Sequence, residues 1–134
     1  MHTMKMTATL AAAMAIGLLT ATAPAATWTA TSNGDWSDPG NWSGGVPDAQ
    51  DAAADFTADI AADLTVDLDI AATVGSILFN DPDGSNSYII SGSNALTMDV
   101  AGSGNAVVDV DNGTANEIAV DMNLGSDQLF IDPA

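Results

Sequence analysis

Basic residues and cysteine are almost absent from this chain. Its 134 residues include one Lys or Arg against 18 Asp and Glu, with one histidine and no cysteine. The single lysine, Lys5, and the histidine, His2, both lie among the first five positions. Beyond Lys5 the chain therefore has no amine, guanidinium, imidazole or thiol that can act as a base, a nucleophile or a soft metal ligand. The oxygens of Asp, Ser, Thr and Asn remain, and these suit hard cations.

The same absences restrict the classes of partner and of activity. The formal net charge is −17 at pH 7, and no cationic side chain follows Lys5 to neutralise phosphates, so we expect no nucleic-acid partner. Pairs of carboxylates are too abundant for any one pair to indicate glycoside hydrolysis. We therefore expect the chain not to be an enzyme. Without disulfides, its stability must come from apolar burial and backbone pairing.

The N-terminus has the three parts of a secretory signal peptide. Lys5 gives a short positive segment, residues 7–19 (TATLAAAMAIGLL) are apolar or small, and Ala23 and Ala25 form an A-x-A ending. The pattern predicts a signal peptide over residues 1–25, cleaved after Ala25, and a secreted or cell-surface protein. The apolar run is short for a membrane span of about 20 residues, and no later run is apolar enough, so we expect no span after cleavage.

The rest of the chain divides into two regions. Residues 26–63 hold all three tryptophans and many Gly, Asn, Asp and Pro turn residues, which predicts a capping region with tight turns. Residues 64–134 show short apolar runs with period-two alternation, typical of strands. The runs lie at residues 64–70, 73–79, 88–90, 95–100, 106–110, 117–124 and 128–131.

These runs recur about every 10 residues, which is compatible with a β-solenoid, a sandwich or a barrel. Very short strands, small residues at the corners and outward Asp, Thr and Asn favour an all-β, right-handed parallel β-helix (β-solenoid) with a Trp-rich N-terminal cap. Stacked coils can bury a modest apolar stripe because each coil contacts its neighbours. A β-sandwich or jelly roll is the alternative.

Several motifs resemble those of one group of secreted proteins. They are Trp28, residues 33–37 (NGDWS), 41–47 (NWSGGVP), 72–79 (ATVGSILF), 91–98 (SGSNALTM) and 123–128 (NLGSDQ). They are similar to the N-terminal region of autotransporter-associated β-strand repeat proteins, a group that overlaps the PEP-CTERM surface proteins. The resemblance implies a parallel β-helix at the cell surface or in the medium, without known catalysis. It also implies the N-terminal part of a longer adhesin-like passenger, because such proteins continue through many repeats.

One loop has partial calcium-binding character. Asp81, Asp83 and Ser85 place oxygen ligands at alternate positions around Gly84, as at the start of an EF-hand loop. The glycine comes two positions early, and Gly92 stands where an EF-hand has its bidentate Glu. Weak Ca²⁺ binding at Asp81, Asp83 and Ser85 is the one metal expectation, and a plain acidic turn is the alternative. Outward acids on successive strands can also stack into ladders for divalent cations or form a solvated acidic face, namely Asp67, Asp69, Asp99, Asp109, Asp111 and Asp121.

The tryptophans support two interpretations. Trp28, Trp36 and Trp42 can pack over the open end of the first coil and seal its apolar interior, which a solenoid terminus requires. Alternatively, exposed rings can stack on sugars, which makes the chain an extracellular carbohydrate-binding module. The favoured function is a non-catalytic, secreted or cell-surface structural protein. Its expected partners are extracellular glycans, matrix proteins and divalent cations.

Overall fold

The described part of the chain is built almost entirely from short strands. The computed structural model describes residues 25–125 and 128–133. In chain order the strands are β1 (Ala26–Trp28), β2 (Gly34–Asp35), β3 (Trp42–Ser43), β4 (Ala53–Phe56), β5 (Leu64–Asp67), β6 (Ala72–Val74), β7 (Ser76–Asn80), β8 (Tyr88–Ser91), β9 (Leu96–Met98), β10 (Ala106–Asn112), β11 (Glu117–Ala119), β12 (Met122–Leu124) and β13 (Leu129–Pro133). A 3-10 helix, Pro39–Asn41, lies between β2 and β3. Most of the predicted signal peptide, residues 1–24, lies outside the described residues.

The strands form three sheets that run alongside one another. Their orders are β13-β10-β7-β4-β1-β3, β11-β8-β5-β2 and β12-β9-β6. Every pairing between successive coils is parallel, and the one antiparallel pairing in the described residues joins β1 to β3. This is a β-solenoid of about four turns, as the sequence predicts. The sandwich alternative is wrong, because a β-sandwich is built from antiparallel sheets, whereas the strands of successive coils pair in parallel here.

Side chains at equivalent positions of successive coils stack into columns inside the solenoid. In the first sheet Ala54, Ile77 and Val108 are register partners and are all buried. In the third sheet Val74 stacks on Met98 in the same way. The alternate residues of each strand point outward, because the side-chain period of a strand is two. The apolar core is therefore a set of aligned columns along the solenoid axis.

Two runs that the sequence predicts as single strands are bent into corners. The run at residues 73–79 divides at Gly75 into β6 and β7, and the run at residues 117–124 divides into β11 and β12. At Gly75 an added Cβ would lie 2.8 Å from the Cα of Asp51. Only glycine lets the backbones approach so closely at this corner, and alternation alone does not reveal the bend.

The predicted boundary at Leu64 does not separate two architectures. Strands β1, β2 and β4 lie before it, and they pair in parallel with strands of the following coil. Residues 26–63 therefore contribute the first coils, and within them β3 acts as a cap because it pairs with the outer edge of β1. The turn-rich composition of this region obscured its short strands.

Candidate functional site

Three carboxylates from two loops meet at one corner of the solenoid. Asp81 and Asp83 lie in the loop after β7, and Asp59 lies in the loop after β4. One oxygen from each group lies within 4.8 Å of the others. Because β4 and β7 pair with Phe56 opposite Phe79, the loops that follow them come to lie side by side. The cluster combines oxygen ligands from neighbouring coils, and such ligands suit a hard cation such as Ca²⁺.

Asp81 is the buried member of this cluster. Its side chain is fully buried, whereas Asp59 and Asp83 are exposed. The Asp81 Oδ1 accepts a hydrogen bond from the Ile60 N–H at 3.1 Å, and Oδ2 accepts one from the Asn86 N–H at 2.9 Å. Two donated N–H groups compensate for part of the lost hydration of this carboxylate. Asp81 therefore holds the loops after β4 and β7 together.

Asp83 and Ser85 form a local turn within the same loop. The Asp83 Oδ1 accepts hydrogen bonds from the Ser85 N–H at 2.9 Å and from the Ser85 hydroxyl at 2.6 Å. These two bonds lower the pKa of Asp83, with the hydroxyl as the larger cause. The Ser85 oxygen also accepts a bond from the Asn86 amide at 2.8 Å. The predicted ligand Ser85 thus serves to orient Asp83.

The third carboxylate was missed in the sequence, and the reason is geometric. A calcium loop is read from consecutive residues, whereas Asp59 enters from the preceding coil. The alignment of Phe56 with Phe79 would have pointed to it, because residues a few positions beyond each phenylalanine then become neighbours. The relevant signal lies in the coil register and not in a local motif.

Tyr88 closes the inner side of this corner. Its hydroxyl donates a hydrogen bond to the Ala58 carbonyl oxygen at 2.7 Å. Burial, followed by the negative charges of Asp81 and Asp59, raises the pKa of Tyr88 to about 12. The phenol therefore stays protonated at neutral pH and serves as a donor that fixes the loop after β4.

The three tryptophans form an interior cluster at the N-terminal end. Trp28 and Trp36 are 0 % exposed and Trp42 is 5 % exposed. The ring centroids of Trp28 and Trp42 lie 5.1 Å apart and those of Trp36 and Trp42 lie 4.9 Å apart, both with edge-to-face geometry. The Trp36 indole donates to the Pro47 carbonyl at 3.1 Å, and the Trp42 indole donates to the Trp36 carbonyl at 2.8 Å.

This burial corrects the interpretation of the rings as a sugar-stacking surface. Stacking on a glycan requires an accessible ring face, and Trp28, Trp36 and Trp42 offer almost no exposed area. The rings instead pack on Phe56, which lies in the next coil. They seal the apolar interior at the end of the solenoid.

Several acids bridge neighbouring coils, and among them is Asp69, which the sequence assigns to an outward ladder or solvated face. Asp48 accepts the Thr73 N–H, Asp63 accepts the Ser87 N–H, and Asp69 accepts the Ser37 N–H, each at 2.9 Å. The Ser37 hydroxyl also donates to Asp69, and this bond is the main cause that lowers the pKa of Asp69. These carboxylates satisfy backbone donors at corners, where the regular ladder stops.

Other acids do form outward ladders, although not as one continuous row. Asp35 is the register partner of Asp67 in the second sheet, and Asp109 is the partner of Asp132 in the first. Of the remaining predicted ladder residues, Asp99 accepts a bond from the Gln50 amide at 3.1 Å. The acidic surface is therefore divided into separate pairs on different sheets.

Known proteins give no independent assignment. Comparisons with protein families, curated proteins and solved structures find no match for this chain. None of the described segments forms a helix with the length and apolarity that crossing a bilayer requires. The assignment of a function to this chain therefore depends on its own residues.

Proposed function

We propose that this chain is a non-catalytic, exported structural protein that displays an acidic β-solenoid at the cell surface or in the medium, in the manner of an adhesin. The observation that carries this proposal is the contrast between the side chains that face the interior of the solenoid and those that face outward. The inward columns are apolar and tryptophans seal the interior at its N-terminal end, while many outward positions carry polar residues such as Asp, Thr and Ser. Such an architecture provides an extended surface whose stability comes from stacking.

The chemistry of the chain supports a structural role over a catalytic one. Beyond Lys5 there is no basic side chain and no thiol, and many carboxylates are engaged in coil-bridging hydrogen bonds. A carboxylate that holds a corner is positioned for folding and is not free to exchange protons with a substrate. The strong negative charge also favours solubility outside the cell.

Export is the part of this proposal that one experiment can test. The full chain, expressed with a C-terminal tag in a bacterial host, is fractionated into cytoplasm, membrane and exported material, and its N-terminus is sequenced. We expect exported protein that begins at Ala26. A variant with Ala13→Asp and Leu18→Asp should remain in the cytoplasm, because two charges disrupt the apolar run of a signal peptide.

A matched variant separates this effect from a general effect of added charge. Ala61→Asp with Ala62→Asp introduces the same two charges at exposed positions of the loop after β4. This variant should be exported and processed like the unmodified chain. Cytoplasmic protein that retains residues 1–25 in the unmodified chain would overturn the proposal, and so would equal export of both variants.

A further inference from the structure

Successive coils are unequal at the corner that joins the third sheet to the first. Counted from its strand of the first sheet, the first coil comprises residues 26–52, the second 53–75 and the third 76–105. In the second coil Gly75 alone connects β6 to β7, whereas in the third coil residues 99–105 connect β9 to β10. The second coil is therefore narrow at this corner, and its two neighbours can meet across it.

Three hydrogen bonds join the first coil to the third across this narrow corner. The Asp51 N–H donates to the Asp99 carbonyl oxygen at 3.1 Å, and the Asp51 Oδ1 accepts the Ala101 N–H at 2.9 Å. The Gln50 side-chain amide donates to the Asp99 Oδ2 at 3.1 Å. Together these four residues form the clasp. Repeats of a solenoid ordinarily contact only their immediate neighbours, and the clasp departs from that rule.

The clasp includes a residue with a strained backbone conformation. The φ of Asp51 is 65°, and Asp51 is the only residue other than glycine with a positive φ in the part of the chain that the structure describes. Such a conformation is unfavourable for a residue with a side chain, and it persists only where surrounding contacts impose it. From this conformation both the N–H and the carboxylate of Asp51 reach the third coil. The strain is therefore tied to the contact between the two coils.

The clasp gives the opening of one coil a consequence two coils away. Where coils contact only their neighbours, the third coil opens without breaking any bond to the first. Here, opening the third coil also breaks the bonds that Asp51 makes to Asp99 and Ala101. The first coil, in turn, cannot open without releasing the third. All three tryptophans of the cap lie in that first coil.

We propose that the clasp is a brace that couples the first coil, with its tryptophan cap, to the third coil and bypasses the second. The single-residue corner at Gly75 permits the contact, and the backbone conformation of Asp51 supplies its geometry. The brace resists local opening, in which part of the chain unfolds while the rest stays folded. This coupling is a property of the folded chain and does not depend on export.

Amide hydrogen exchange, measured by NMR, tests the coupling coil by coil. Asp51→Ala removes the acceptor of the Ala101 N–H. It should speed exchange by about tenfold in both the first and the third coil, because a hydrogen bond to a charged group is lost. The reporters are buried strand residues, Trp28 in the first coil and Ile90 and Met98 in the third.

Asp48→Ala is the matched control, because it removes the same kind of bond between adjacent coils. The Asp48 Oδ1 accepts the N–H of Thr73, which lies in the second coil, at 2.9 Å. This variant should speed exchange in the first coil but change it in the third coil by less than about threefold, because opening the third coil leaves the Asp48 bond intact. Exchange in the third coil therefore distinguishes the clasp from an ordinary contact between neighbours.

Two further substitutions separate the carboxylate of Asp51 from its strained backbone. Asp51→Asn keeps an acceptor oxygen and tolerates the left-handed conformation, so exchange in the third coil should stay within about threefold of that in the unmodified chain. Asp51→Gly adopts the conformation without strain but lacks the acceptor, so it should speed exchange in the third coil as Asp51→Ala does. Circular dichroism and tryptophan fluorescence establish that the variants remain folded.

Three results would overturn the inference. Equal acceleration of the third coil by Asp48→Ala and Asp51→Ala would show that the coils open together without the clasp. Acceleration confined to the first coil in Asp51→Ala would show that Asp51 stabilises only its own coil. Unchanged exchange in Asp51→Gly would assign any effect of Asp51→Ala to backbone strain. None of these results bears on the export experiment.

Discussion

At the scale of single residues, the acidic side chains fall into two groups with different roles. One group satisfies backbone N–H groups at the corners, with Asp48, Asp63 and Asp81 as examples. The other group faces outward, as in the pair Asp109 and Asp132. From composition alone, all of these residues would be interpreted as surface charges. Their contacts show that the first group holds neighbouring coils together.

Asp81 provides the sharpest test of this distinction. Asp81→Asn keeps the shape of the side chain but replaces one acceptor oxygen by a donor, which leaves either the Ile60 or the Asn86 N–H without its partner. Losing the partner of a buried donor costs about 1–3 kcal/mol. We therefore expect the free energy of unfolding, measured by urea denaturation at pH 7, to fall by about that amount.

Asp111→Asn is the control for the change in charge. It removes the same negative charge from an exposed position of β10 and should leave the free energy of unfolding within about 0.5 kcal/mol. If both variants have the same stability as the unmodified chain, the hydrogen bonds of Asp81 contribute nothing beyond charge.

At the scale of elements, the N-terminal cap depends on the tryptophans and on the hydrogen bonds that they donate. Trp36 and Trp42 each donate an indole hydrogen bond to a backbone carbonyl. Among the described residues, the Trp28 Nε1 is a buried donor without a hydrogen-bond partner. It lies in the edge-to-face pair with Trp42, where packing stabilises the ring.

This difference predicts different effects for one conservative substitution at two positions. Trp28→Phe and Trp36→Phe remove the same atoms, but only Trp36→Phe leaves a carbonyl, that of Pro47, without its donor. Trp36→Phe should be the more destabilising by about 1–3 kcal/mol in urea denaturation. Equal losses at Trp28 and Trp36 would mean that only the volume of the cap matters.

The sequence predicts the elements better than their connections. Alternation at Leu64, Val66 and Leu68 predicts a strand with an apolar inner face, and the structure buries all three. Corners are harder to predict. At Gly75 the chain bends where its backbone lies close to that of Asp51 in the neighbouring coil, and this closeness cannot be read from the local sequence. Asp59 joins Asp81 and Asp83 for the same reason, since inter-coil neighbours depend on register. Local patterns carry no information about register.

At the scale of the whole molecule, the main electrostatic feature is the unbalanced negative charge. The net charge of −17 produces repulsion within the folded state, and this repulsion weakens when ions screen it. The cluster of Asp59, Asp81 and Asp83 concentrates the repulsion at one corner. A divalent cation neutralises such a cluster more effectively than the same ionic strength of sodium chloride.

We therefore expect CaCl₂ to raise Tm more than NaCl of equal ionic strength, as measured by calorimetry. Asp59→Asn should remove most of this excess, because it removes one of the three negative charges of the cluster, while Asp111→Asn should retain it. Binding to the folded state is what stabilises it. An equal rise with both salts would show that screening alone acts, and removal of calcium by a chelator should then have no effect.

The coils that run from Ala54 to Ile77 and from Ile77 to Val108 differ in length, although both advance the first sheet by one strand. Most of the additional residues of the longer coil lie in the loop between β9 and β10, residues 99–105, because only Gly75 connects the equivalent strands β6 and β7 of the shorter coil. Each additional coil adds about 4.8 Å along the solenoid axis, whatever its number of residues. An insertion at a corner therefore widens the cross-section of the solenoid and adds side chains there. Only an additional coil lengthens the molecule along its axis.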